Sequence, residues 1–345
     1  MKASKTVLSV AAAVLASAAF AQAGSPNLGP GYNGAARYAT DAYPGFDLEE
    51  EMVKPERREP RWFSFVTGPK RETASAQFAY CQELAKAESW SKAAKELDAL
   101  VREWPTAPEA WQAQQRLADI QFEKLKDFED AFKSYRYLLD FYSLQCDYKA
   151  TADRLYKAAG AMEIEGKAIM FVRFENTVDV RRAYETCVLR APGAPWVPSA
   201  MLTIARLRER DGQKSEAVKV YENLRNLYPD SEESKMALAR EAGVRTAILH
   251  ECEYNRSRTR DTADFLKLAL AGCRPADAET IRGQLAEVQA LLAEEAYLSA
   301  KFYDSPTRTK RSAVAAYEKF LAEYPEGVHA EEVRARLDEL KGAQK

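Results

Sequence analysis

One spacing, repeated around six turns, narrows what this chain can fold into more than any other feature. Counting back five, eight and twelve residues from Pro229, in Leu227-Tyr228-Pro229-Asp230-Ser231, gives Leu224, Tyr221 and Ala217. The same intervals from Pro325 give Phe320, Tyr317 and Ala313; from Pro105, Leu100, Leu97 and Ala93; from Pro192, Cys187, Tyr184 and Val180. From Ser143, where the proline is missing, they give Leu138, Tyr135 and Ala131, and from Pro275 a weaker set, Leu270, Lys267 and Ala263. Steps of four and three keep these side chains on one helical face, and a proline five residues on stops the helix. The small residue lets a second helix approach closely. A further amphipathic stretch precedes such helices at 75–87, 109–125, 198–210 and 284–302, so the unit is a helical hairpin. One hairpin cannot bury both faces of its helices, and copies must stack.

This pattern resembles the tetratricopeptide repeat, with small residues at its eighth and twentieth positions, an aromatic at its twenty-fourth and proline at its thirty-second. The resemblance implies an all-α fold, a right-handed superhelical solenoid of five to six hairpins over residues 74–341, followed by a short tail at 342–345. The first helices depart from the pattern: position eight is Ala205 in the unit ending at Pro229, but Cys81, Asp119 or Lys301 elsewhere. Successive turns lie 38, 49, 37, 46 and 50 residues apart, so some units carry longer helices or insertions. Residues 165–177, with Gly166 and a β-branched and aromatic content, read as the main insertion.

Ahead of the repeats the chain changes character twice. Lys2 and Lys5 precede an apolar run from Val7 to Phe20 and then Ala21-Gln22-Ala23. This is the pattern of a secretory signal peptide at 1–23, cleaved after Ala23 or, alternatively, after Ala21. An uncleaved anchor is the competing reading, but the run is shorter than the ~20 residues a membrane span needs. No Cys lies near the cleavage site to accept a lipid. Residues 24–73 hold six Gly and six Pro, which no helix tolerates, and read as a flexible extension. Its charge is split, with Asp47-Leu48-Glu49-Glu50-Glu51 ahead of Lys54, Arg57, Arg58 and Arg61. Trp62-Phe63-Ser64-Phe65-Val66 is the exception, because three aromatics in four residues call for a surface to dock on.

Chemistry-bearing motifs are absent. Phosphate-cradling GxxxxGK[ST], GxGxxG and GxSxG do not occur, and neither of the two His, His250 and His329, is framed by a metal-binding spacing. The reading is of a non-enzyme with no cofactor, no catalytic residues and no metal. The 50 Lys and Arg almost balance the 52 Asp and Glu, which argues against a polyanion-binding surface over the whole chain and against nucleic acid as a partner. Cys81 and Cys187 fall at close-packed positions and read as buried thiols, while Cys146 lies in an inter-repeat turn as an exposed one. Cys252 and Cys273 flank one helix, which separates them, though a disulfide between them stays open.

Three stretches extend the likeness to a particular family. Residues 191–200 (Ala-Pro-Gly-Ala-Pro-Trp-Val-Pro-Ser-Ala), 215–231 (from Ser215-Glu216-Ala217 to Tyr228-Pro229-Asp230-Ser231) and the C-terminal unit from Ala293 to Pro325 resemble the BamD family, periplasmic repeat subunits of the outer-membrane β-barrel assembly machine. The resemblance implies a periplasmic scaffold, peripheral to the outer membrane, whose partners are envelope proteins such as a barrel-assembly subunit or a nascent outer-membrane protein. Members are typically lipoproteins, and this chain lacks the lipid-accepting Cys, which leaves the extension to hold it at a membrane. Other envelope adaptors with such repeats, serving cell-wall synthesis, secretion or pili, are the alternative. A glycan-binding role for Trp62, Trp111 and Trp196 is a third reading, against which the helix-start positions of the last two favour packing. First helices line the concave surface of such solenoids. Phe78, Arg116, Ile120, Leu202 and Arg206 are expected there, the apolar residues exposed as anchors and the arginines pairing with carboxylates. Arg206, Arg208 and Arg210 with Glu209 read as a solvated charged face.

Overall fold

The computed structural model describes residues 43, 46, 68–168, 177–251, 255–305 and 309–342. The signal-peptide pattern, the Trp62 to Val66 cluster and Cys252, with any bridge to Cys273, lie outside the described residues. Among the described residues there are thirteen α-helices and no strand, so the fold is all-α.

The helices are α1 (Ala74–Lys86), α2 (Trp90–Glu103), α3 (Ala110–Ile120), α4 (Phe128–Phe141), α5 (Tyr148–Ala168), α6 (Thr177–Arg190) and α7 (Val197–Arg210) in a first compact unit, Met1–Asp211. A second unit, Gly212–Lys345, holds α8 (Lys214–Leu227), α9 (Glu232–Glu251), α10 (Arg256–Gly272), α11 (Ala278–Tyr303), α12 (Lys310–Glu323) and α13 (Ala330–Gly342). Within each unit every helix packs on its neighbour in sequence, so both are stacks of helical hairpins. The insertion expected at 165–177 is smaller than its composition suggests. Helix α5 continues through Gly166 to Ala168 and α6 begins at Thr177, leaving 169–176 outside the described residues.

The recurrent spacing marks the core. Ala93, Leu97 and Leu100 are 0 to 1% exposed, Ala131, Tyr135 and Leu138 are 0%, Ala217, Tyr221 and Leu224 are 0%, and Ala313, Tyr317 and Phe320 are all buried. Each large apolar member contributes about 1.5–3 kcal/mol through burial. Val180 is only half-buried, with Tyr184 and Cys187 carrying its set inward. In the weak set before Pro275, Ala263 keeps its place and the other two positions are shifted by one residue. Lys267 is exposed, and Ala263, Leu266 and Ala269 fill the core in its place.

Local chemistry ends the helices where the turns were expected. Asp127 caps α4 by accepting from Asp130 N–H at 3.2 Å, and Asn255 caps α10 by accepting from Arg258 N–H at 3.1 Å. After α3 a π-helical turn, Gln121–Leu125, closes on Lys126 in the left-handed region at φ 58. Gly212 at φ 75 supplies the same conformation between α7 and α8, where a side chain would be strained. Adjacent turns are tied together as well: the Tyr142 hydroxyl, at the end of α4, donates to the Pro105 carbonyl at 2.6 Å.

Candidate functional site

A hairpin stack carries its binding chemistry on first-helix side chains that the core does not consume, so burial at those positions decides what a face can do. Three of the five residues expected on that face are consumed. Phe78 (9% exposed) and Ile120 (7%) pack in one cluster with Cys81, Ala93, Leu97 and Leu117, and Leu202 is 6% exposed. They are core residues and not open anchors: helical periodicity places a side chain on a face but does not say whether that face is covered. Arg116 on α3 and Arg206 on α7 are exposed as expected, and neither has a side-chain partner among the described residues.

The charged cluster beside Arg206 also divides. Arg206 and Arg210 are exposed, but Arg208 is 3% exposed, which corrects the expectation of a solvated face. Its Nη2 donates to Glu185 Oε1 on α6 at 3.1 Å, and Arg181 Nη1 donates to the same oxygen at 2.8 Å. Asp211 Oδ2 stands 4.0 Å from Arg181 Nε. The second unit repeats the device between α8 and α9, where Arg245 pairs with Glu222 and donates to Glu241 Oε1 at 2.7 Å. Arg225 Nε donates to the other Glu241 oxygen at 2.9 Å, and both guanidiniums lie over the Phe265 ring, at 5.2 Å for Arg225 and 4.5 Å for Arg245. These arginines join neighbouring hairpins.

Exposed apolar side chains are scattered over the described residues, Leu144, Ile164 and Leu268 among them, but two adjacent ones lie in the last hairpin, which sequence reasoning passed over. Counting from Pro325 by the intervals that locate Leu202 and Arg206 from Pro229 gives Leu298 and Phe302 on α11. Leu298 is 55% exposed and Phe302 59%, one helical turn apart, with Tyr303 edge-on to Phe302 at 5.6 Å. The signal was the same count carried one unit further.

The inner side of α11 holds this patch rigidly. Tyr297 stacks on His329, with ring centroids 3.9 Å apart, and its hydroxyl donates to Glu332 Oε1 on α13 at 2.6 Å. His329 Nε2 lies 2.6 Å from Glu294 Oε2. Arg336 Nε donates to Asp304 Oδ2 at 2.6 Å and holds the Asp304 carboxyl below its usual range. The Tyr297 hydroxyl and Lys301 together pull Glu332 down likewise.

Little else is built for small-molecule chemistry. His250 pairs with Glu287 at 3.1 Å, and among the described residues no three His, Cys, Asp or Glu side chains converge as a metal site. Cys81 and Cys187 are 2% and 0% exposed, and burial pushes the Cys81 thiol up to about 12. Trp196 stacks on Tyr156 at 4.5 Å and its indole N–H donates to Asp153 Oδ1 at 2.8 Å, so its ring is engaged in packing. No helix among the described residues is long and apolar enough to cross a membrane.

A tetratricopeptide-repeat family model matches residues 199–231, the unit in which position eight is Ala205. Among solved structures, a tetratricopeptide repeat protein from Parabacteroides merdae is similar at 14% identity, covering 78% of this chain and 98% of that one with a TM-score of 0.28. The structure of Naa15/Naa10 bound to HypK-THB matches at 16% identity over 78% of this chain and 51% of that one, with a TM-score of 0.21. No curated protein matches the chain. The repeats indicate a protein-interaction scaffold, and folds of this type are in general non-catalytic.

Proposed function

We propose that this chain is a periplasmic scaffold of the BamD type, which docks a subunit of the barrel-assembly machine or a nascent outer-membrane protein on its first-helix faces. The observation that carries the reading is the exposed Leu298 and Phe302 pair, apolar residues left in water on a helix whose other face is fully used in packing. Spaced four residues apart, they offer two adjacent anchors to an extended or helical segment of a partner. Arg116 and Arg206 add a preference for carboxylates on the segment bound by the first unit. Export is supported by the Lys2 to Ala23 pattern and the barrel-assembly role by the stretches at 191–200, 215–231 and 293–325.

The test is capture from envelope extracts by the exported protein and by the variant Leu298→Asp/Phe302→Asp. Wild type is expected to begin at Gly24 and to retain barrel-assembly subunits, and the variant to lose them. Recovery of cell-wall synthases or secretion components alone would assign the scaffold to another envelope machine.

A further inference from the structure

The outer face of α11 is complementary to itself. Leu298 stands 55% exposed at its centre, with Phe302 59% exposed one turn on and Leu291 half-buried two turns back. Charge frames Leu298 unevenly, because Glu294 and Glu295 precede it and Lys301 follows it. Lys301 Nζ donates to the Tyr297 hydroxyl at 3.1 Å and meets no carboxylate in an ion pair among the described residues. Glu294 engages His329 through Oε2 only, and its side chain is 50% exposed.

Helical geometry places these charges. At about 100° and about 1.5 Å per residue, Lys301 lies about 60° to one side of Leu298 and about 4.5 Å beyond it. Glu294 lies about 40° to the same side and about 6 Å before it. A two-fold axis perpendicular to both helices sets a second α11 antiparallel to the first, with the same edges of the two faces together. Leu298 then meets Leu298 of the other copy. Each Lys301 comes within about 1.5 Å of the level of the other copy's Glu294, and Phe302 falls between the levels of the other copy's Glu295 and Leu291. A parallel pair in register would instead set Lys301 against Lys301 and Glu294 against Glu294.

We infer that this face is an interface between two copies of the chain, which pair α11 with an antiparallel α11 through Leu298 and two Lys301–Glu294 ion pairs. The inference rests on the reading of the same face as a docking surface and adds its regulation. Paired copies hide Leu298 and Phe302, and an envelope partner binds by separating them. A single helix–helix contact buries less than the roughly 1,200 Å² of stable complexes, so the pairing is weak and reversible and the dilute chain is a monomer.

Sedimentation equilibrium of the full exported chain over about 1 µM to 1 mM, the range of weak affinities, should show monomer passing to dimer. Lys301→Glu and Glu294→Lys, each alone, replace two attractions by two repulsions and should each weaken the dimer about tenfold. Mixing these two variants restores both attractions and should return a heterodimer as tight as the wild-type dimer, a rescue that a folding defect does not allow. A monomer throughout the range, a dimer that neither reversal weakens, or a weakening that mixing does not rescue overturns the inference. Capture of envelope proteins that depends on Leu298 and Phe302 is read on the dilute chain and stands in each of these cases, so loss of self-pairing and loss of the scaffold reading are separable.

Discussion

At the scale of single residues, the fold is decided by what fits between helices. Ala93 is 0% exposed and sits among Phe78, Cys81, Leu97 and Leu117, where any larger side chain would have to push α2 from its neighbours. Ala93→Leu is therefore expected to cost about 1–3 kcal/mol, read as a lowered urea midpoint with an unchanged slope. Glu241 tests the opposite case, a charge that holds two others. It is 0% exposed and accepts from Arg225 and Arg245, whose side chains are 20% and 22% exposed. Glu241→Ala strands Arg225 over Phe265, leaves Arg245 with Glu222 alone, and should cost about 2–3 kcal/mol, below the full penalty for a wholly buried triad because water still reaches both partners. If Glu241→Ala unfolds at the wild-type urea concentration, the cluster is not holding α8 to α9.

At the scale of elements, the terminal helix is the least secured, since α13 packs on one side only. Besides its buried Ala330, Val333, Leu337 and Leu340, polar contacts tie it down: Arg336 to Asp304, Tyr297 to Glu332 and Lys341 to Glu318. Asp304 and Glu332 are both held below the usual carboxylate range, Asp304 chiefly by Arg336 and Glu332 chiefly by the Tyr297 hydroxyl. A folded value below the unfolded one means that the stabilisation is complete above about pH 4, the unfolded carboxylate range, and is lost as pH falls through the folded values. Protection factors for amides of 330–342 should therefore hold down to about pH 4 and fall below it, while those of α10 change little. Equal loss along the chain would mean that α13 is held by its apolar contacts, Val333, Leu337 and Leu340, alone.

The same contrast explains what the sequence discloses about elements. Second helices are legible because Ala, Tyr and Leu at fixed intervals before a proline admit one geometry. The shifted set in α10 escapes the count because its helix meets Pro275 in a different phase, with Leu266 and Ala269 inward and Lys267 in water. First helices are legible as helices but not as surfaces. Phe78, Ile120 and Leu202 have the right phase for an open groove, yet neighbours cover them, and Arg208 looks like a surface charge until Glu185 on another helix meets it. Burial at those positions depends on residues tens of positions away, which local periodicity does not contain.

At the scale of the whole molecule, the residues that carry stability are not those proposed to carry recognition. Core positions such as Ala93 and Tyr221 have no surface left with which to bind, and Leu298 and Phe302 have most of theirs still in water. In a stack of hairpins each packing contact is local, so a change on an outer face does not propagate through the fold. Leu298→Asp/Phe302→Asp should consequently leave the stability of the chain within about 0.5 kcal/mol of wild type, measured by urea unfolding, while abolishing capture of the partner. Ala93→Leu should do the reverse, lowering stability while leaving capture by the still-folded protein intact. If the double variant unfolds as readily as Ala93→Leu, the two side chains serve the core of the last hairpin. The exposed pair would then no longer support a docking face on α11.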